Sequence, residues 1–236
     1  MNEHIVKSYE DELAQLDRKI AHMGGLVENI VGSAFDALEL RDPGLAEQAI
    51  ASDKTVDAMQ HEIEQQIIAM IARRQPMADD LRQIMGALRI SGELERIGDL
   101  GKNIAKRALT IAGETYPRPL MSGLRRMLDL ALRQLKDVLD AYADRNTELA
   151  IKVRGADALI DATYNSVFRE LLTYMMEDPR NISLCTHLLF GAKNIERIGD
   201  HATNIAETVY YLVTGENLSL DRPRGESEEM AVAASA

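Results

Sequence analysis

The 236-residue chain carries 38 acidic against 27 basic side chains, a net charge of −11, which makes nucleic acid a poor partner because phosphate neutralisation needs a basic stripe. Its single cysteine, Cys185, leaves no intramolecular disulfide and suits a reducing cytoplasm. Hydrophobic residues make up 46% but aromatics only 4%, with no Trp, so the composition favours helix over sheet.

The opening residues, MNEHIVKSYEDEL, have no apolar stretch of the secretory kind. No run approaches the ~18 uninterrupted apolar residues of a membrane span, so membrane association is expected to pass through a partner protein rather than by direct insertion.

Chain breakers divide the sequence into six long helical segments, near 4–40, 44–73, 78–113, 118–144, 147–177 and 181–215. The punctuation is Asp42-Pro43-Gly44, Gln75-Pro76, Tyr116-Pro117-Arg118-Pro119, Asn146 and Asp178-Pro179. Asp42 and Asn146 stand where they can cap the following helices, with Pro43 in a first turn that tolerates it. From Ser219 the tail SLDRPRGESEEMAVAASA has no periodicity and reads as disordered.

The third and sixth segments contain the same phrase. ELERIGDLGKNIA runs from Glu93 and NIERIGDHATNIA from Asn194, an offset of 101 residues. Upstream, at an offset of 104, Ala37, Arg41, Leu45, Ala46, Asp53 and Asp57 match Ala141, Arg145, Leu149, Ala150, Asp157 and Asp161. Each half is therefore a helix, a helix with Asp-x-x-x-Asp, and a helix with Glu-x-x-x-Asp. The expected architecture is all-α: two tandem, pseudo-symmetric three-helix bundles over 1–115 and 116–218, with the tail at 219–236.

Residues four apart on a helix lie one above the other, about 6 Å along the axis. Glu95, Asp99 and Asn103 form one row, and Glu196, Asp200 and Asn204 repeat it. The apolar stripes Leu94, Ile97, Gly101, Ile104, Ala108 and Ile195, Ile198, Ala202, Ile205, Val209 fall on roughly the opposite side, which points the acids away from the core. Asp53 and Asp57 border the stripe Val56, Met59, Ile63 and Ile67, nearer the edge of a buried face.

A single acidic row on an amphipathic helix is ordinarily a solvated face, loosely paired here with Arg96, Lys102 or Arg197. Two like charges at i,i+4 cost a few tenths of a kcal/mol, however, and this chain repeats the arrangement four times at equivalent points of both halves. If the pairs of each half converge, the patch needs a compensating cation, and its oxygen donors suit Mg²⁺, Mn²⁺ or an iron. Gly98 and Gly199 would let a neighbouring segment approach.

Other site chemistries fail on the residues. None of the five histidines follows a Glu by three positions, against the di-iron bundle pattern, and no Gly-rich phosphate loop, His-Glu-x-x-His or Gly-x-Ser-x-Gly occurs. His201 reads as a surface histidine and Cys185 as a small buried hydrophobe.

ERIGD followed by Asn-Ile-Ala in both halves, RRQPMADDLR from Arg73 and LLTYMMEDPRNI from Leu171 together resemble the PhoU family of phosphate-transport regulators. The resemblance spans roughly residues 5–218. It implies a cytoplasmic, non-enzymatic negative regulator of phosphate uptake and of the phosphate-starvation response. Its implied partners are the ATPase subunit of the phosphate importer, the membrane sensor histidine kinase of the phosphate two-component system and a second copy in a homodimer. It also implies metal ions (Mg, Mn, Fe or Zn) on Asp53, Asp57, Glu95 and Asp99 in the first half and on Asp157, Asp161, Glu196 and Asp200 in the second.

After its first ERIGD the chain has Lys102 and Lys106 where the second copy has Thr203 and Glu207. The added positive charge is expected to weaken metal affinity in the first half. Two other functions compete with the regulator: a metal-dependent phosphohydrolase, for which the chain offers no evident nucleophile, and a purely structural helical protein whose acids bind nothing.

Overall fold

Among the described residues six α-helices follow in order: α1 (Asn2–Leu40), α2 (Pro43–Arg74), α3 (Asp79–Ile111), α4 (Arg118–Ala143), α5 (Thr147–Glu177) and α6 (Ile182–Thr214), with a 3-10 turn at Pro179–Asn181 before the last. The structure is a computed structural model that describes residues 2–114 and 118–218. The tail read as disordered, and the Tyr116-Pro117 boundary, lie outside the described residues. None of the helices is long and apolar enough to cross a membrane.

The sequence repeat has a local structural cause at the α1–α2 and α4–α5 turns. Arg41 and Arg145 both take left-handed backbone conformations, with φ of 57° and 53°. The next residue closes each helix end the same way: the Asp42 amide donates to the Ala37 carbonyl at 3.0 Å, and the Asn146 amide to the Ala141 carbonyl at 2.9 Å. Asp42 Oδ1 then accepts from the Gly44 and Leu45 amides, and Asn146 Oδ1 from the Leu149 amide, so both side chains are helix caps as expected. Matching Ala, Arg and Asp/Asn positions thus encode one reversal written twice.

Within each half the three helices pack on one another. α3 also runs against α6, and α1 against α4, so the four helices α1, α3, α6 and α4 form a central ring with α2 and α5 on its outer sides. Both apolar stripes are buried: Leu94, Ile97, Ile104 and Ala108 on α3, Ile195, Ile198, Ala202, Ile205 and Val209 on α6. Cys185 is buried among them, as its apolar setting suggested. The expected pair of three-helix bundles is therefore present, and the two halves share one continuous hydrophobic core.

Polar contacts lock the halves together. Tyr142 on α4 donates to Asp17 Oδ1 at 2.5 Å and the Arg145 guanidinium adds two contacts to the same carboxylate at 3.0 and 3.1 Å. Burial and the neighbouring Asp17 carboxylate push the Tyr142 phenol well above its ordinary pKa, so it stays a donor. Arg125 on α4 reaches both Asp36 and Glu39 on α1 and lies over the Phe35 ring. Between α3 and α6, the Arg107 guanidinium stacks 4.4 Å above the Phe190 ring centre.

Helix approach depends on small residues. A Cβ on Gly101 would stand 2.9 Å from Ile30 Cγ2 and 3.4 Å from the Val31 Cα, whereas one on Gly155 would meet nothing within 4 Å. Gly101→Ala should therefore destabilise the protein by about 1–2 kcal/mol through overpacking. Gly155→Ala, in an exposed helix interior, should stabilise it by about 1 kcal/mol. Urea denaturation midpoints of the two variants, which should move in opposite directions, check the pair.

Candidate functional site: two carboxylate patches

The acid rows lie at the seams between α2 and α3 and between α5 and α6, one patch in each bundle. Their exposure corrects the expectation of a solvated outer face. Asp53 is 2% exposed, and Glu95, Asp99, Asp157, Asp161, Glu196 and Asp200 are half-buried; only Asp57 is exposed. The helical wheel placed Glu95, Asp99, Glu196 and Asp200 opposite the apolar stripe of their own helix, and Asp53 and Asp57 at the edge of theirs. It could not show that α2 and α5 cover the flank of α3 and α6 on which the Glu-x-x-x-Asp pairs sit.

Bare backbone makes the cover possible. On α3, a Cβ at Gly98 would lie 3.4 Å from Asp53 Oδ1 and from Val56 Cγ1. On α6, a Cβ at Gly199 would lie 2.9 Å from Ile160 Cδ1 and 3.1 Å from both Asp157 Oδ1 and Gln134 Oε1. The glycine in each ERIGD is thus the floor on which the first acid of each Asp-x-x-x-Asp rests. Any larger residue at Gly199 would force that carboxylate aside.

In the first patch the acids act on one another. Burial, then the Asp53 charge, raises the Asp57 pKa, with Asp99 adding to it; Glu95 is raised by burial and then by Asp99 and Asp57. A cation already stands among them. Lys102 Nζ donates to Asp53 Oδ2 at 2.5 Å and also to Asp99 Oδ1. Burial alone would lower the ammonium pKa, but these hydrogen bonds and charges outweigh it and hold it well above lysine's ordinary value. Lys102 is therefore no loose surface partner of the row: it spans α2 and α3 inside the patch.

In the second patch, burial and the Asp200 charge raise the Asp161 pKa; burial, Asp200 and Asp161 raise that of Glu196 against the lowering by Lys193. Lys193 Nζ donates to Glu196 Oε1 at 2.6 Å, a partner one turn before the motif that the row pattern does not include. Glu196 Oε2 is buried with no hydrogen-bond partner among the described residues. Arg154 on α5 lies 3.3 Å from Glu207 on α6, where the first bundle has Ile50 and Lys106.

His201 is not a free-standing surface histidine. Its Nδ1 lies 2.6 Å from Glu93 Oε2, and Asn204 Nδ2 donates to the same oxygen at 3.2 Å, a bridge from α6 to α3 across the bundles. Against burial, these contacts hold the Glu93 pKa below its ordinary value. No spacing rule points to Glu93 because its partners are more than a hundred residues away.

The fit to a metal ion differs between the patches. Among the described residues, no three His, Cys, Asp or Glu side chains are gathered closely enough to hold a metal. In the first patch the Lys102 ammonium takes the position between Asp53 and Asp99 that a cation would need, so those residues do not fit one as they stand. In the second patch the donors Asp157, Asp161, Glu196 and Asp200 are all oxygens and Glu196 Oε2 is buried with no hydrogen-bond partner among the described residues, which is the donor chemistry of a hard divalent cation, although the four are not gathered around one point.

The raised carboxyl pKa values have a definite sign for stability. A carboxyl that binds its proton more tightly when folded contributes most below its unfolded pKa, and the contribution is lost as pH rises through the folded value. For the metal-free protein, Asp161→Asn should therefore raise stability at neutral pH by a few tenths of a kcal/mol, about 1 °C in melting temperature. The gain should shrink as pH is lowered through the raised Asp161 value and the wild-type carboxyl takes up its proton. Melting curves of both proteins in chelator across this range check it.

Comparison with known proteins places this geometry. The PhoU domain family matches residues 20–108 and 124–209, one match on each bundle. The chain is 55% identical over 223 residues to the phosphate-specific transport system accessory protein PhoU homolog of Rhizobium meliloti (strain 1021), covering 94% of each chain. It is 50% identical over 224 residues to the homolog of the same name in Caulobacter vibrioides (strain NA1000 / CB15N), covering 95% of this chain and 97% of that one. The crystal structure of PhoU from Pseudomonas aeruginosa superposes with a TM-score of 0.85 at 38% identity, over 88% of this chain and all of that one. The phosphate transport system regulatory protein PhoU from Streptococcus pneumoniae gives 0.83 at 30% identity, over 90% and 100%.

Proposed function

The chain belongs to the PhoU family, and from that premise we propose that it is a negative regulator of phosphate uptake and of the phosphate-starvation response. The observation that carries this reading is the match of both bundles to relatives named as accessory and regulatory proteins of phosphate transport, at up to 55% identity over 94% of the chain. Those names also support a non-enzymatic role over the alternative of a metal-dependent phosphohydrolase.

The proposed mechanism is that of an adaptor. A cytoplasmic dimer would sit between the ATPase subunit of the phosphate importer and the membrane sensor histidine kinase, peripheral to the membrane through these partners. Two features support this. Its net charge of −11 favours basic protein partners, and the acid patches recur at equivalent seams of both bundles. A divalent ion bound in the second patch would supply positive charge that holds α5 against α6 and fixes the surface both helices present. Asp157, Asp161, Glu196 and Asp200 would hold it.

The first loop takes a smaller part. Arg74 is engaged with Glu12 at 2.9 Å, and Arg73, which is exposed, donates to the Ala69 carbonyl at 3.2 Å, so both arginines fasten the end of α2.

Deleting the gene should derepress phosphate-starvation genes in phosphate-replete medium, and the wild-type gene should restore repression. A deletion strain that represses normally would overturn the reading. In pull-downs from native membranes the wild-type protein should retain the importer ATPase subunit and the sensor kinase. A variant with Asp157, Asp161, Glu196 and Asp200 changed to Asn or Gln should retain several-fold less of both.

A further inference from the structure

The outer face of the α3–α6 pair carries a second repeated pattern, between the two acid seams. On α3, Arg89, Arg96 and Asn103 follow at seven-residue spacing, and α6 answers with Phe190, Arg197, Asn204 and Tyr211. Positions seven apart lie about two turns apart, so each set forms one row along its helix. The two helices run antiparallel: Arg89 lies over the Tyr211 ring at 5.8 Å, Asn204 donates to Glu93, and Arg107 stacks on Phe190. That register sets Arg96 beside Asn204 and Arg197 beside Asn103.

Arg89, Arg96 and Arg197 are exposed, and so is half of Phe190. Among the described residues, Arg89, Arg96, Arg107 and Arg197 form no salt bridge, although Arg96 is near enough to Glu93 and Glu95 to act on both carboxyls. Arg107 Nε is moreover buried with no hydrogen bond. Elsewhere in the chain Arg74, Arg82, Arg125, Arg145, Arg154 and Arg180 each pair with a carboxylate. In a chain of net charge −11, one ridge thus gathers four arginines without acids. A broad anionic surface, such as a membrane, would bring its charge against the acid seams on both flanks. A single extended strand with a few acids fits between them.

The chain itself supplies such a strand. α6 ends at Thr214, and Gly215 packs against the Arg82 guanidinium, at the Arg89 end of the ridge. From Ser219 the sequence continues SLDRPRGESEE, outside the described residues. Its charges run basic then acidic: Arg222 and Arg224, then Glu226, Glu228 and Glu229. In the same direction the structure runs acidic then basic: Asp79 and Asp80, exposed at the start of α3, then Arg89, Arg96 and Arg197. Arg197 lies about 27 Å from Gly215 along α6. The chain from Leu218 to Glu226–Glu229 can span roughly 26–40 Å when extended, so its glutamates reach all three arginines.

We propose that the segment 222–229 folds back along the α3–α6 ridge, with Glu226, Glu228 and Glu229 against Arg89, Arg96 and Arg197. An acidic segment of a partner protein then meets an occupied ridge and has to displace the chain's own. This docking depends on neither acid seam and on no metal.

The full chain with Ser227→Cys gives the test, because Cys185 is buried and a nitroxide reagent labels the new thiol alone. In about 0.1 M salt the label should tumble several-fold more slowly than in about 1 M salt, where the screening length falls to ~3 Å. Adding Arg96→Gln/Arg197→Gln should abolish the slowing. So should Glu226→Gln/Glu228→Gln/Glu229→Gln, which lies outside the helices and leaves their packing untouched. Under mild oxidation, Ser227→Cys with Asn103→Cys should form a disulfide within one chain. Equal label mobility at both salt concentrations overturns the docking. Slowing that survives the arginine variant overturns the ridge as its site, and slowing that survives the glutamate variant overturns those acids as its contacts. A disulfide that links two chains instead overturns the fold-back and gives the ridge to a neighbouring copy.

Discussion

Close approach of α2 to α3 at Gly98, and of α5 to α6 at Gly199, sets the conditions for everything else in this protein. Where the backbone is bare, the first acid of each Asp-x-x-x-Asp drops against the neighbouring helix, Asp53 leaving water altogether and Asp157 in part. A carboxylate so placed loses hydration that only a cation or several hydrogen-bond donors can replace. The hydrophobic stripes of α3 and α6 enforce this geometry, because burying Ile97 and Ile198 beside those glycines brings the acids in with them. Apolar packing thus creates an electrostatic problem at two equivalent seams.

The bundles answer that problem differently while keeping the same frame. Asp53 meets an ammonium that reaches it from the covering helix's partner, and the two contacts of Lys102 tie α2 to α3. Asp157 Oδ1 instead stands with Gln134 Oε1 against Gly199, and Gln134 Nε2 donates to Thr203. A duplicated fold tolerates this divergence because each patch belongs to its own bundle, while the shared core and the Tyr142–Asp17–Arg145 and Glu93–His201 bridges hold the halves in place.

The six helices, their caps and the duplication were all legible in the residues. Asp42 and Asn146 cap as their types dictate, and the Ala37-to-Asp42 and Ala141-to-Asn146 turns explain why those positions repeat. Family kinship was legible too, since the twofold ERIGD phrase at domain spacing matches over both bundles. The electrostatic setting of the acids was not. A helical wheel assigns faces relative to one helix, and the burial of Asp53 comes from a different helix lying across its flank. Lys102 looked like a weakening neighbour by charge count; only its reach across the seam shows that it fills the patch.

Local chemistry, readable from order alone, thus determined the helix count, the turns, the apolar stripes and the two matched acid rows, because spacing along a helix and cap geometry act over a few residues. Tertiary structure alone decided that Glu93 bridges to His201, that Gln134 turns its oxygen to Gly199, and that Lys102 of one bundle reaches across the seam to Asp53. Those contacts join side chains from different helices, 49 to 108 residues apart where hydrogen bonds record them. Their formation depends on how closely two backbones pack, a distance that no pattern within a single helix encodes.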